Sequence, residues 1–330
     1  MVTGSATQGL HLVLSLLMES SAPVFVEDPT YFFSLKIFRN DFSSNVVPVP
    51  TDETGMDLDE LDKKLTSMKP THGSGASTER YWAVIYVMTV FSNPRGLVYS
   101  SVKCNRLVQL ARKHDVLVVV DDVYNLLWFQ PSEPPSKPLQ PPARLLTFDK
   151  ASDPDYGRSH VISVGTFSKF LAPGIRLGWL EASEKILSRL YTSGLALSSG
   201  SFNHYMSRVV SVAFKSGQIT QHVEAVRKEL SKRMDKLCDA LEKHLPNGCS
   251  FVKPEGGFYL WLQFPTNVDT FEFLQFSAER YGVAFIPGAL ASASEGCHNC
   301  VRLSISALDE AKAEVGAKEL CMAFKEYSMM

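Results

Sequence analysis

The sequence predicts a doubly wound α/β fold, a mostly parallel sheet covered by helices on both faces, followed by a smaller C-terminal α+β domain. Three observations carry this. Uninterrupted apolar runs such as Val116-Leu117-Val118-Val119-Val120 alternate with helix-period segments over residues 1–200, as a parallel sheet buried on both faces requires. A long, charged, helix-period segment then spans residues 222–244 and leads away from that sheet. After it, Gly256-Gly257-Phe258-Tyr259-Leu260-Trp261-Leu262 and Val301-Arg302-Leu303-Ser304-Ile305-Ser306 read as strands of a second, smaller unit. At 330 residues the chain is long enough for about two domains, and the expected division is 1–220 and 221–330.

Each element has its own warrant. Residues 10–18 are mostly apolar and read as a helix, 24–27 as a short buried strand, and 58–65 as an amphipathic helix. Residues 81–89 form a β-branched run, 102–114 a helix, 116–120 an apolar strand, and 160–164 a further strand. The polar Gly/Ser/Thr stretch 68–77 is a linker, and seven prolines between Phe129 and Arg158 make that stretch a loop.

Composition excludes several classes. Hydrophobic residues make up 45% and charged residues 21% of the chain, the balance of a globular protein. The net charge of −2 gives no electrostatic support for binding nucleic acid or an anionic membrane. No apolar run approaches the roughly 18 residues of a membrane-spanning helix. Residues 10–18, followed by Ser20-Ser21-Ala22, look like a secretory signal, but no Lys or Arg precedes Lys36. Six cysteines are too sparse for a disulfide scaffold, so a reduced, cytoplasmic setting is expected. Cys297-His298-Asn299-Cys300 is a lone CxxC with no second ligand pair, weak support for a zinc or redox site; it reads as a surface loop with two thiols, and no metal site is expected.

Ligands of open α/β sheets bind at the carboxyl ends of the strands. After the 116–120 strand comes Asp121-Asp122-Val123-Tyr124. A lone acid there is commonly a turn cap; two acids and a tyrosine are less common, and a buried acid calls for a partner. After the 160–164 strand comes Gly165-Thr166-Phe167-Ser168-Lys169, then Arg176. A lone lysine is mostly a surface residue, yet one partly desolvated among hydroxyls becomes a nucleophilic amine. Thr166, Ser168 and Arg176 suit a phosphate group. Asn93-Pro94-Arg95-Gly96 is a tight turn that aims an amide at the same place. Gly4-Ser5-Ala6-Thr7-Gln8 precedes the first helix, so its backbone N–H groups face an anion there.

Asn93-Pro94-x-Gly96, Asp121-x-x-Tyr124, Ser168-Lys169 and Arg176, taken in this order with Gly256-Gly257 and Arg302, resemble the class I/II pyridoxal-phosphate-dependent aminotransferases of fold type I. The resemblance covers essentially the whole chain. Val26-Glu27-Asp28-Pro29-Thr30-Tyr31 and Gly165-Thr166-Phe167-Ser168-Lys169 look most like the aminoadipate/kynurenine aminotransferase branch. The resemblance implies pyridoxal 5'-phosphate as cofactor, Lys169 as its Schiff-base lysine and proton shuttle, and Asp121 as partner of the ring nitrogen. It implies Tyr124 and Asn93 on the ring hydroxyl oxygen and Tyr31 stacked on the ring face. The phosphate then falls to Arg176, the Thr166 and Ser168 hydroxyls, and the backbone of Ala6 and Thr7. Asn93 and Arg302 meet the substrate, Arg302 by a bidentate fork on the α-carboxylate; without the rest of the pattern Arg302 reads as a strand-end surface residue. Asp122 should point away from the site. Residues 198–203 and Phe258 are expected near the substrate pocket.

The implied reaction moves an amino group from an L-amino acid to a 2-oxo acid, in a homodimer. Family members carry a segment upstream of the phosphate turn that closes over the substrate, and this chain opens at Met1 beside that turn. An active enzyme is therefore weighed against a cofactor-binding remnant without turnover, and an upstream mitochondrial signal against the cytoplasmic setting. β-Elimination on the same cofactor is a further alternative, and a transcriptional regulator would need an upstream DNA-binding segment. Arg95 stands where the family usually has Thr, so an added cation lies either near the ring hydroxyl or toward solvent.

Overall fold

The computed structural model describes residues 1–70, 80–129, 140–199 and 202–330. Part of the predicted 68–77 linker, four of the seven loop prolines and part of the 198–203 stretch lie outside the described residues. Among the described residues, eight strands form one sheet: β1 (Val2–Thr3), β2 (Val24–Asp28), β3 (Val46–Asp52), β4 (Gly55–Met56), β5 (Val84–Val87), β6 (Leu117–Asp121), β7 (Val161–Thr166) and β8 (Gly178–Glu181), in the order β1-β8-β7-β6-β5-β2-β3-β4. The five central strands β7-β6-β5-β2-β3 are parallel, while β8 joins β7 antiparallel and β1 joins β8 antiparallel.

The helices are α1 (Ala6–Leu17), α2 (Phe32–Lys36), α3 (Leu58–Met68), α4 (Ser101–His114), α5 (Glu184–Tyr191), α6 (Gly194–Ser199), α7 (His204–Lys215), α8 (Gln218–His244), α9 (Thr270–Tyr281) and α10 (Glu310–Tyr327). Strand residues divide between two apolar layers by parity. Val84, Tyr86, Leu117, Val119, Ile162 and Val164 pack with α1, whereas Ile85, Val87, Val118, Val120 and Val161 pack with α3 and α4. Both faces are buried, which is why these strands read as continuous apolar runs. α1 is held at its start by Ser5, whose side chain accepts a hydrogen bond from the Gln8 N–H. It buries Leu10, Val13, Leu14 and Leu17, one stripe at helical spacing.

A second sheet, β11 (Ile286–Pro287), β12 (Cys300–Ser304), β10 (Tyr259–Gln263) and β9 (Ser250–Phe251), is antiparallel and packs with α8, α9 and α10. α8 begins at Gln218, earlier than the predicted residue 222, so the expected division at 220 falls in its first turn.

Two stretches differ from the sequence expectation. The 81–89 run shortens to β5: Trp82 donates to the His114 carbonyl before it, and Met88, just past its end, lines the cavity. The polar stretch before β7, without a sequence-level role, is a structural clasp. Asp149 accepts from Ser159 Oγ and from the backbone N–H groups of His160 and Val161, and pairs with Arg112, which also reaches Asp153 and Asp155.

Candidate active site

The chain order reverses between β2 and β5, and the loops after β2, β5, β6 and β7 converge beside that point. This is where an open α/β sheet makes its binding crevice. A cavity of about 240 Å³ lies there. Ala6, Thr7, Tyr31, Asn93, Asp121, Tyr124, Thr166, Ser168, Lys169 and Arg176, ten residues singled out from sequence, all line it. Arg302 does not line it but reaches it through Asn93, donating from Nη1 to Asn93 Oδ1 at 2.9 Å.

One end of the cavity is built for an anion. α1 presents its first residues, Ala6 and Thr7, at the wall, and the N–H groups of a first helical turn have no intrahelical acceptors. This approach needs Gly178: a Cβ there would lie 2.6 Å from the Gly165 carbonyl and 2.7 Å from the Ser5 backbone. Arg176 sits at φ +49 and donates to the Pro173 carbonyl at 2.9 Å and to Ser168 Oγ at 3.4 Å. Asn203 holds that turn by donating to the Ile175 and Arg176 carbonyls. The Thr166 hydroxyl is already engaged, accepting from the Ser168 N–H and contacting Ser168 Oγ and the Leu177 carbonyl.

The other end carries a carboxylate. Asp121 ends β6, and its Oδ2 accepts from the Tyr86 hydroxyl at 2.5 Å. Its Oδ1 is buried with no hydrogen-bond partner among the described residues. Burial pushes the Asp121 carboxyl up to about 6; the Tyr86 hydrogen bond and the Lys169 charge pull it down, while Asp122 raises it. Asp122 points to the opposite face, as the alternation of an extended chain requires. There it accepts from Arg144 Nε at 2.5 Å and from Ser163 Oγ at 3.1 Å.

Lys169 ends a short turn after β7, its Nζ 5.8 Å from the Tyr124 ring centroid. Tyr124 is buried and its hydroxyl donates to Tyr259 Oη at 3.3 Å. Burial pushes the Tyr31 phenol up to about 12 and the Tyr124 phenol well above its ordinary value, so both are neutral donors. The Arg302 guanidinium stacks on Tyr259 (4.1 Å to the centroid) and Phe32 (5.3 Å), and its buried Nε has no partner among the described residues.

One open alternative is decided and one sequence expectation changes. Arg95 turns from the cavity to the end of β3, donating to the Asp52 carbonyl at 2.7 Å and Thr51 Oγ1 at 3.0 Å. Phe258 does not line the cavity but packs edge-on against Tyr124, 5.4 Å between centroids. Sequence reasoning missed Tyr86 and Met88, which line the cavity, and Glu27, which accepts from the Met88 N–H and the Tyr99 hydroxyl behind it. The available signal was a tyrosine hydroxyl inside an apolar strand, which needs a partner when buried.

The sequence profile described as aminotransferase class I and II matches residues 1–320. The aromatic-amino-acid aminotransferase 1 of Thermococcus litoralis is 31% identical over 329 residues, spanning 99% of this chain and 72% of that protein. The 2-aminoadipate transaminase of Thermus thermophilus is 28% identical, over 98% of this chain and 75% of its own length. The kynurenine aminotransferase of Pyrococcus horikoshii, solved in complex with PMP, superposes with a TM-score of 0.84 at 30% identity, over 99% of this chain and 75% of that one.

Proposed function

Because the chain belongs to the class I and II aminotransferase family, we propose that its cavity carries out pyridoxal-phosphate-dependent transamination with the residues gathered there. It is an aminotransferase, taking an amino group from an L-amino acid to a 2-oxo acid. The observation that carries the site assignment is the orphaned Asp121 Oδ1, a buried acceptor in the cavity that also holds Lys169 and the α1 N-terminus. A buried carboxylate oxygen without a donor costs free energy, and a protonated ring nitrogen supplies the donor. The residues therefore fit the cofactor at both ends.

Pyridoxal phosphate, when bound, supplies an electron sink for the charge left as the substrate Cα loses its proton. The chain's residues do the rest. Asp121, oriented by Tyr86, holds the ring nitrogen in its protonated form. Arg176, Ser168 and the N–H groups of Ala6 and Thr7 take the phosphate, with Thr166 fixing the turn that presents Ser168. Tyr31 covers a ring face, and Asn93 and Tyr124 direct polar groups to the ring oxygen. The Lys169 amine holds the cofactor and moves the proton at the substrate Cα. Arg302 has Nε free for the substrate α-carboxylate while Nη1 is steadied by Asn93.

The donors we propose are of the aminoadipate, kynurenine or aromatic type, supported by the named relatives. The division of labour follows the division of the chain: residues 1–220 hold the cofactor and 221–330 bring Arg302. A homodimer is supported by exposed apolar residues on α6 and α7, where Leu197 is 70% exposed and Tyr205, 77% exposed, shares one helix face with Val209 and Val212. Among the described residues no helix is long and apolar enough to cross a membrane, and the free thiols suit a cytoplasmic setting.

The test is a visible absorbance titration with pyridoxal phosphate, followed by 2-aminoadipate, kynurenine and phenylalanine. A band that appears with cofactor, is lost in Lys169→Ala and shifts with a donor supports the assignment. No band in the wild-type chain overturns the site, and a band unmoved by any donor overturns the turnover.

A further inference from the structure

Among the described residues, Cys297 and Cys300, at the start of β12, are a pair of chemistry-bearing side chains that transamination leaves unused. The Cys300 N–H donates to the Cys297 carbonyl at 3.1 Å, closing a four-residue turn. Such a turn holds its end Cα atoms within about 7 Å, the span a disulfide bridges. The turn is firmly seated. A Cβ on Gly288 would lie 2.7 Å from both the Cys297 and the Cys300 carbonyls, and His298 and Asn299 accept from the Thr270 and Phe264 N–H groups. Cys297 sits at φ +59, a left-handed conformation that L residues other than Asn and Asp seldom adopt. It is half-buried, whereas Cys300 is buried.

The Cys300 Sγ lies 3.7 Å from Asn299 Oδ1, and the proximity of the two sulfurs holds the Cys300 thiol below its ordinary value and the Cys297 thiol above. The Arg95 charge favours a thiolate on both, the Trp261 N–H favours one on Cys300, and Asp28 opposes one on Cys297. A lowered thiol beside a second cysteine in one CxxC turn is the arrangement of a reactive pair. Among the described residues no third His, Cys, Asp or Glu joins them into a metal-binding group. The other cysteines lack this poise: Cys104, Cys238 and Cys321 are buried, and burial pushes Cys249 up to about 11.

We propose that Cys297 and Cys300 are a redox-modification site, closing to a reversible disulfide by exchange with a small-molecule disulfide. The Cys300 thiolate takes the proton of the accessible Cys297 thiol, whose sulfur attacks one sulfur of that molecule and releases its first thiol, the departing thiolate taking that proton from Cys300. The Cys300 thiolate then attacks the Cys297 sulfur, forms the Cys297–Cys300 bond and releases the second thiol. Two protein thiols are oxidised, one small disulfide is reduced, and the two protons leave on the two product thiols. The bond forms two residues from Arg302 and beside Trp261, the register partner of Arg302, so the modification is read out next to the substrate side of the site.

The experiment equilibrates the full chain, with cofactor present, in buffers of graded oxidised and reduced glutathione, then traps free thiols by acid alkylation and maps the peptides by mass. The expected result is a peptide containing both cysteines that has lost two hydrogens, escapes alkylation, and returns to two alkylated thiols under reducing conditions. Cys300→Ser should instead hold one glutathione on Cys297, since the resolving thiol is gone. Trp261 fluorescence should fall on oxidation of the wild type and stay level in Cys297→Ser. The proposal is overturned if both cysteines remain alkylatable in the most oxidising buffer, if each carries its own glutathione, or if the bond that forms joins Cys249 and Cys321.

Discussion

Arg302 and Asn93 meet across the two sheets: Nη1 on β12 donates to Oδ1 in the loop after β5 at 2.9 Å, 209 residues away in sequence. The bond occupies one arm of the guanidinium, whose central carbon lies 4.1 Å from the Tyr259 ring centroid. A planar fork held this way is preorganised for a carboxylate.

Arg302→Lys keeps the charge and loses the fork. It should raise the KM for an amino-acid donor by about 10²-fold, the loss of one or two charge-assisted hydrogen bonds, while the cofactor absorbance band persists. Steady-state kinetics with 2-aminoadipate, read beside the cofactor spectrum, check this. Equal loss of cofactor and substrate binding would place Arg302 in the cofactor site instead.

Asp121 makes cofactor binding depend on pH. Its carboxyl stands at about 6 in the cofactor-free chain, above the ordinary 3.8. The sign follows: below about 4 the carboxyl is protonated folded or unfolded, and as pH rises through about 6 the folded state must ionise a buried group and loses stability. A bound ring N–H reverses this by pairing with the carboxylate. The gap in Tm between cofactor-loaded and cofactor-free protein should therefore widen from about pH 5 to pH 7 and level off above. The phosphate titrates in the same range, so Asp121→Asn serves as control and should show a shallower rise.

Tyr86→Phe tests whether the orienting hydroxyl matters. It removes the donor to Asp121 Oδ2 at 2.5 Å and leaves the ring packed against Phe38, 5.2 Å between centroids. The lost hydrogen bond to a charged group is worth about 1.5–3 kcal/mol, so cofactor affinity should weaken by roughly 10–100-fold. The midpoint of the pH-dependent Tm gap should move upward with it. A variant with unchanged midpoint would show that burial alone sets the Asp121 proton.

These residues also mark how much was legible in the sequence. The ten cavity residues stand at strand ends, at the start of α1 or in the turn before β8, where short local motifs name both the residue and its position, and the sheet topology brings these ends together. Tyr86, Met88 and Glu27 were not legible, because each sits within an apolar run and becomes a site residue only through which strand lies next to it. β2 pairs with β5, a neighbour relation that no local pattern encodes. Arg95 shows the reverse case: it lies inside a motif that left its direction open, and its long side chain follows the Asp52 carbonyl away from the cavity. The stretch before β7 read as an unassigned polar loop because the partner of its acid, Arg112, lies on α4.

That clasp yields a stability prediction independent of the cofactor. The Asp149 side chain is 1% exposed and that of Arg112 6%, and Asp149 also accepts from the N–H groups that lead into β7. Asp149→Ala leaves a buried guanidinium with two acids, Asp153 and Asp155, and the Lys150 carbonyl, and strands two backbone donors at the entry of the strand that presents Lys169. Breaking a buried pair from one side costs about 3–5 kcal/mol, and the two remaining acids place this case near 3. Asp153→Ala, whose side chain is 33% exposed, should cost at most about 1 kcal/mol. Denaturant melts of the two variants measure the difference, and each should keep the cofactor band of the molecules that remain folded. Equal costs would mean that Arg112 shares its charge evenly and that Asp149 does not anchor β7.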